Sequence, residues 1–253
     1  MKSKQLVAMA ALALLVALPA RAAEVVSSNI VGYEKITLAP GLNMVGNQFM
    51  AVGTSSFQNI NQMFKDQNGM VAGTGDSDAD SILTWDGSSY SDIYYLDDYT
   101  EPYEWYNTKD IDNATTDTAT LGQGFWFKHQ GNTTITTTLA GEVPTNATVQ
   151  IQIQPGLNFI ANPYPMAICP NSAFFMVEGA IAGTGDSDAD SILTWDGSSY
   201  SDIYYLDDYT EPYEWYNTKD IDNAVSTAIL KPAMGFWYKH QGPGATLTFG
   251  KPY

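Results

Sequence analysis

The chain has a single cysteine, Cys169, in 253 residues. No disulfide can form within it, so stability must come from a hydrophobic core, and a chain of this length can supply one. Cys169 lies between Ile168 and Pro170. In that apolar setting it reads as a small buried hydrophobe rather than a nucleophile. Histidine is nearly as scarce: His129 and His240 are the only two, each in a Lys-His-Gln-Gly stretch. They occupy equivalent places in two copies of one unit, whereas a catalytic pair needs one shared site, so both read as structural. No G-x-S-x-G elbow, H-E-x-x-H or P-loop occurs, which removes the usual sequence grounds for a hydrolase, metalloprotease or nucleotide-binding enzyme. Beyond the N-terminus no run approaches the ~18 apolar residues of a membrane-spanning helix. Bases are also few, 11 Lys and Arg against 28 Asp and Glu, for a net charge of −17. A field of that sign repels nucleic acid and anionic membrane, and attracts cations.

The N-terminus has the pattern of a secretory signal peptide. Lys2 and Lys4 form a basic start, Leu6 to Leu18 an apolar core, and Ala20-Arg21-Ala22 a small-x-small cleavage site. Cleavage is expected after Ala22, which implies a secreted, extracellular or cell-surface protein.

What the chain does have is a duplication. The 43 residues from Ala72 to Ala114 recur without change from Ala182 to Ala224, and such a repeat governs the reading of the whole chain. Similarity extends outward: Gly41-Leu42-Asn43 matches Gly156-Leu157-Asn158, and Gly124 to Gly131 matches Gly235 to Gly242. Two modules of about 110 residues follow, 23–142 and 143–253, with the boundary near the turn formers of Gly141 to Asn146. Each copied block holds eleven carboxylates and one base, Lys109 in the first, while the rest of the mature chain has six acids and six bases. The scaffold is thus neutral and the copied blocks carry the net charge. A solvated acidic surface and a specific ion site are both compatible with that pattern.

Local signals are mostly β. Val149, Ile151 and Ile153 alternate with polar residues, Val31 to Leu38 does so more weakly, and Ile135 to Leu139 and Gly124 to Phe127 read as further strands. Asp86-Gly87 and Asp196-Gly197 lie between β-rich runs and predict hairpins with type I′ turns. One short helix is expected per module, at Ser55 to Phe64 with Ser55 or Ser56 as N-cap, and at Asn171 to Val177. The expected class is all-β, two tandem modules of sandwich or small-barrel type. Whether they share one sheet is left open.

Two constellations stand out. Asp76, Asp78 and Asp80, repeated as Asp186, Asp188 and Asp190, have the D-x-D-x-D spacing that opens many calcium loops. Ser81 and Gly87 occupy the places where an EF-hand needs Gly and Glu, so this is not an EF-hand. Calcium remains the expected cofactor of a different loop, with Asp86 or Asp92 closing the shell and Asp196 answering Asp86 in the copy. The alternative is a turn whose carboxylates cap backbone N–H groups. The second constellation is an aromatic run whose Trp85, Tyr90 and Trp105, with Trp195, Tyr200 and Trp215 in the copy, fit a glycan-stacking face or a half-buried strand. Paired carboxylates of a glycoside hydrolase form a third reading, although these acids cluster in a loop-rich block where a cleft is expected instead.

Gly156-Leu157-Asn158-Phe159-Ile160-Ala161-Asn162-Pro163-Tyr164-Pro165, then Trp195-Asp196-Gly197 with Tyr200, then Gly235-Phe236-Trp237, resembles a β-rich module of secreted bacterial surface proteins. The first module matches less closely, with Asn47-Gln48-Phe49 in place of Asn-Pro-Tyr. The resemblance implies an exported, non-catalytic protein. The reading that follows is a structural or adhesive surface component engaging itself or an extracellular polymer, with a carbohydrate-binding module as the alternative.

Overall fold

Alternation of side chains sets the strands. In the strand Val31–Leu38, Val31, Tyr33, Lys35 and Thr37 face solvent and Leu38 closes the core side. The computed structural model describes residues 30–53, 57–65, 68–99, 102–207, 212–218 and 225–253. The expected leader, and Ser55 and Ser56 as helix caps, lie outside these residues. The fold is all-β. The first module contains β1 (Val31–Leu38), β2 (Gly41–Gly46), β3 (Phe57–Asn59), α1 (Ile60–Met63), β4 (Ser81–Trp85), β5 (Tyr90–Leu96), β6 (Glu104–Asn107), β7 (Asp110–Ala114), β8 (Thr118–Thr120), β9 (Gly124–His129) and β10 (Ile135–Glu142). The second contains β11 (Thr148–Ile153), β12 (Gly156–Ala161), β13 (Phe175–Glu178), β14 (Ser191–Trp195), β15 (Tyr200–Leu206), β16 (Glu214–Asn217), β17 (Gly235–His240) and β18 (Ala245–Gly250).

The main sheet of the first module has the order β2-β9-β4-β5-β6-β7, and that of the second β12-β17-β14-β15-β16. Smaller sheets cover them: β1-β10 and β3-β8 in the first module, β11-β18-β13 in the second. All strand pairs are antiparallel. Each module has its own core cluster, and Ala233 of the second module reaches into that of the first. Leu38, Phe64, Ile82, Trp105, Phe125 and Phe127 are among the buried members of the first. Ile153, Phe175, Ile192, Trp215, Phe236 and Phe249 are among those of the second. Residues from both layers meet in each cluster, so the architecture is sandwich-like.

Three local expectations are corrected. The first helix is a single turn, Ile60–Met63, capped by the Asn59 side chain accepting from Asn61 N–H, because Phe57–Asn59 pairs with β8 instead. No helix forms at Asn171 to Val177. Pro170 precedes it, the Asn171 side chain bridges the backbone of Trp215, and Phe175–Glu178 pairs with β18. Asn61 bridges Trp105 in the same way, which identifies Asn61 and Asn171 as counterparts. The Asp-Gly hairpins form, but Trp85 pairs with Tyr90, leaving a four-residue tip, and within the Asp-Gly pair only Gly87 takes positive φ, at 104°. The two-residue type I′ turn is thus replaced by a longer loop with one left-handed glycine.

Among the described residues the modules do not share a continuous sheet. They meet through a reciprocal junction. Gly46 N–H donates to the Ala233 carbonyl at 2.9 Å, and at the counterpart place Ala161 N–H donates to the Gly122 carbonyl at 2.7 Å. Trp85 Nε1 donates to the Leu157 carbonyl at 3.1 Å, and Trp195 Nε1 to the Leu42 carbonyl at 3.0 Å. Between these bonds lie buried Trp126, Phe159 and Trp237, with Met44, Leu83, Trp85, Leu193 and Trp195 packed against them. Trp85 meets Trp237 edge-on at 5.8 Å, and Trp195 meets Trp126 edge-on at 5.9 Å. Such contacts make an isologous interface inside one chain. The symmetry is not complete: Phe159 stacks on Trp237 at 4.3 Å where its counterpart is Met44, and Gln48 Oε1 accepts from Ala233 N–H where its counterpart is Pro163.

Close approach at the junction requires glycine. A Cβ on Gly124 would lie 2.6 Å from the Ile160 carbonyl oxygen, and one on Gly235 2.6 Å from that of Val45. Backbone atoms cannot move aside as a side chain does. Gly124→Ala is therefore expected to destabilise the protein by about 2 kcal/mol. In a chain of this size that lowers the thermal midpoint by about 4–8 °C. An unchanged midpoint in calorimetry would refute the tight contact.

Candidate functional site

The three carboxylates of each D-x-D-x-D stretch go to different places. Asp78 stays on the surface and folds back on its own loop, accepting from Thr74 N–H and hydroxyl at 3.2 Å and from Gly75 N–H at 2.9 Å. The Thr74 backbone bond, foremost among these, holds its carboxyl below the usual range. Asp188 repeats the arrangement on Thr184 and Gly185. Asp80 turns inward and is fully buried. Asp76 and its copy Asp186 stay exposed. The Asp76 charge adds to the burial that raises the pKa of Asp92 on β5. Among the described residues no group of three His, Cys, Asp or Glu is placed to hold a metal ion. The second of the two turn readings, carboxylates capping backbone N–H groups, describes Asp78 and Asp188.

The inward carboxylate is the least expected part of the block. Asp80 Oδ1 lies 2.9 Å from His129 Nδ1 and accepts from Gln130 N–H at 2.7 Å, while Oδ2 accepts from Val71 N–H at 3.1 Å. His129 Nε2 lies 3.0 Å from the Thr133 carbonyl. The strand end that carries His129 is thereby tied to the loop that opens the acidic block. Asp190 and His240 repeat the pair at 2.9 Å, with Gln241 N–H at 2.8 Å. Here a tyrosine, Tyr238, takes the place of Phe127, and its hydroxyl donates to Asp190 at 2.6 Å. Burial first, then the Asp190 charge, push the Tyr238 pKa far up. His240 Nε2, by contrast, is enclosed without a partner. The two copies thus satisfy one buried acid with different donors. Both histidines are structural in this arrangement. Sequence reading treated Asp80 and His129 separately; the signal that pairs them is their joint recurrence at near-constant separation. Cys169 is half-buried rather than fully enclosed.

Asp86 and Asp196 sit at the hairpin tips. Asp86 accepts from the N–H groups of Ser88 and Ser89, both at 2.8 Å, and from both hydroxyls at 3.0 Å. Asp196 does the same with Ser198 and Ser199. The backbone donors of Ser89 and Ser88, then the hydroxyls, hold Asp86 well below the usual carboxylate range, and Asp196 likewise. Such a group suits neither a general acid, which needs a raised pKa, nor a calcium shell that requires its oxygens free.

The expected aromatic face is divided. Trp105 and Trp215 are core residues, 0% and 4% exposed, packed against Tyr95 and Tyr205. They are unavailable to stack on a sugar, which corrects that part of the expectation. Trp85 and Trp195 are half-buried at the junction, with Tyr90 and Tyr200 exposed beside them at 4.9 and 5.0 Å. Two grooves flank the junction at counterpart positions. One, of about 230 Å³, is walled by Trp85, Asp86, Gln123, Gln152 and Gln154. The other, of about 530 Å³, is walled by Trp195, Asp196, Glu34, Lys35 and Lys231. Identical tips therefore face different surroundings, neutral in one groove and charged in the other. No helix among the described residues is long and apolar enough to cross a membrane. Comparisons of the chain with known protein families and with curated protein sequences gave no match.

The tip carboxylates link the fold to pH. Their folded pKa lies below the unfolded value of about 3.9, so they stabilise the fold above that value and lose the effect as pH falls through and below it. The thermal midpoint is expected to drop as pH is lowered from about 5 towards 2. In Asp86→Asn with Asp196→Asn that drop should be shallower. Equal slopes in the two proteins would count against these carboxylates as the source.

Proposed function

We propose that the protein is an exported, non-enzymatic structural or adhesive component of a cell surface or extracellular matrix. The observation that carries this reading is the reciprocal junction, which joins the two modules that carry the copied acidic blocks. Exposed Asp76, Asp98, Glu104, Asp110 and Asp112 project from the first block, and Asp186, Asp188, Asp196 and Glu214 from the second. Two copies of one face on a fixed body engage a repeating partner more tightly than either alone. Their charge favours a cationic polymer or the cationic groups of neighbouring chains. The bacterial surface-protein resemblance and the secretory leader point the same way. In this role calcium would bridge exposed carboxylates of adjacent molecules instead of filling a preformed cage.

A second reading, a carbohydrate-binding module, is favoured by one observation. The groove beside Trp85 combines an indole wall with the side-chain amides of Gln123, Gln152 and Gln154. Amides and rings of this kind recognise neutral sugars, and here no base lines the groove.

Binding to immobilised chitosan, a polymer of glucosamine, separates these readings. Asp98→Asn with Glu104→Gln and Asp110→Asn, confined to the first block, should weaken apparent affinity by about 100-fold through loss of bivalency. Raised salt should weaken the wild type as well. Affinity that survives the acid substitutions and salt but is lost in Gln152→Ala with Gln154→Ala would replace the acidic display with the glycan groove. Repeating the assay in millimolar calcium and in chelator reads the bridging role.

A further inference from the structure

The two copied acids Asp80 and Asp190 are buried alike, but the histidines that hold them have different surroundings. His129 and His240 are each 2% exposed. In the first module both ring nitrogens of His129 face acceptors. Asp80 accepts from Gln130 N–H through Oδ1 and from Val71 N–H through Oδ2. An ionised carboxylate only accepts, so His129 Nδ1, 2.9 Å from Oδ1 and 3.0 Å from Oδ2, must carry a proton. His129 Nε2 lies 3.0 Å from the Thr133 carbonyl, which also only accepts. A neutral imidazole has one N–H and would set a lone pair against one of these oxygens. Imidazolium, with two, satisfies both. A proton shifted from Nδ1 to Asp80 would leave the count for the pair unchanged.

The second module lacks the second acceptor. Four residues, Gly131 to Thr134, separate Gln130 from β10, but only Gly242-Pro243-Gly244 separate Gln241 from β18. His240 Nε2 is enclosed without a partner. A proton there would bury a charged donor with nothing to accept it. Asp190 is held instead by His240 Nδ1 at 2.9 Å, Gln241 N–H at 2.8 Å and the Tyr238 hydroxyl at 2.6 Å, and such donors suffice to keep a carboxylate ionised. The charged residues nearest in sequence, Lys128, Asp76 and Asp78 in the first module and Lys239, Asp186 and Asp188 in the second, are the same in kind. The loop and Tyr238 therefore make the difference. Each pair also anchors an acidic loop, because Gln130 Nε2 donates to the Ser77 carbonyl at 2.9 Å and Gln241 Nε2 to that of Ser187 at 3.1 Å.

We propose that the two clasps differ by one proton: His129 is an imidazolium in a buried ion pair with Asp80, and His240 is a neutral imidazole that donates from Nδ1 alone. Identical acidic loops are thus held by an ionic clasp in one module and a neutral clasp in the other, and only the first depends on the additional proton. Nitrogen NMR of the histidine side chains tests this on the intact protein at neutral pH. The chain has two histidines, and the preceding Phe127-Lys128 and Tyr238-Lys239 tell them apart. His129 should show two protonated ring nitrogens, and His240 one protonated and one bare nitrogen. A bare nitrogen in His129, or two protonated nitrogens in both rings, would overturn the proposal. A graft gives a second readout. Tyr238→Phe should lower the thermal midpoint by removing a donor from Asp190. Replacing Gly242-Pro243-Gly244 with Gly-Asn-Thr-Thr in that variant should recover most of the loss and make His240 doubly protonated, since the first module already combines this loop with phenylalanine. A midpoint that stays low beside a His240 that stays neutral would refute the role given to the loop carbonyl.

Discussion

The rest of the structure depends on the junction between the two modules. Each module has a core of its own, yet Trp126, Phe159 and Trp237 become interior only because the second sheet lies against the first. Burial of a large aromatic side chain contributes roughly 1.5–3 kcal/mol, a sizeable share of a typical folding free energy. The four reciprocal hydrogen bonds add direction. An indole N–H of each module reaches a carbonyl on β2 or β12 of the other, so neither module can rotate without breaking both. The glycines at the contact let the backbones approach, and any side chain there would hold them apart.

This junction explains why a strongly acidic chain can be rigid. Charges that repel one another sit mainly on the surface of the copied blocks, while apolar residues of the scaffold and of the blocks, Ile82 and Trp105 among them, do the packing. Among the described residues, the fully buried acid of each block, Asp80 or Asp190, is paired with a histidine and a backbone donor. A buried carboxylate without such partners would cost several kcal/mol. The exchange of Phe127 for Tyr238 shows the same demand met by a different donor once the surroundings diverge.

Strand content was largely legible from the chain alone. Alternation located β1 and β11, and the Asp-Gly pairs located both hairpins. Local pattern failed where the deciding partner was remote. The helix expected at Asn171 gave way because strand pairing with β18 and the Asn171–Trp215 bridge outweigh a weak local propensity. Trp85 and Trp105 look alike in sequence, yet one walls the junction and the other is core, since only the facing element decides. Asp80 resembled a metal ligand because the residue that claims it, His129, is 49 positions away. The junction itself left no local signature: periodicity tells which face of a strand is apolar but not that its partner is a copy of the same strand.

The tight hairpin tip has a consequence for how the chain folds. Two identical 43-residue stretches offer the hairpin strands inside them two partners of equal intrinsic fit. Strand β4 matches β15 as well as it matches β5, and a mixed product would be a kinetic trap of the sort common in repeat proteins. What separates right from wrong is the cost of closing the loop. Asp86 to Ser89 spans four residues and is held by its own carboxylate, whereas the wrong pairing must close a loop of more than a hundred. The acidic turn thus serves as an address that directs each strand to its nearest partner and lets the duplication persist without scrambling.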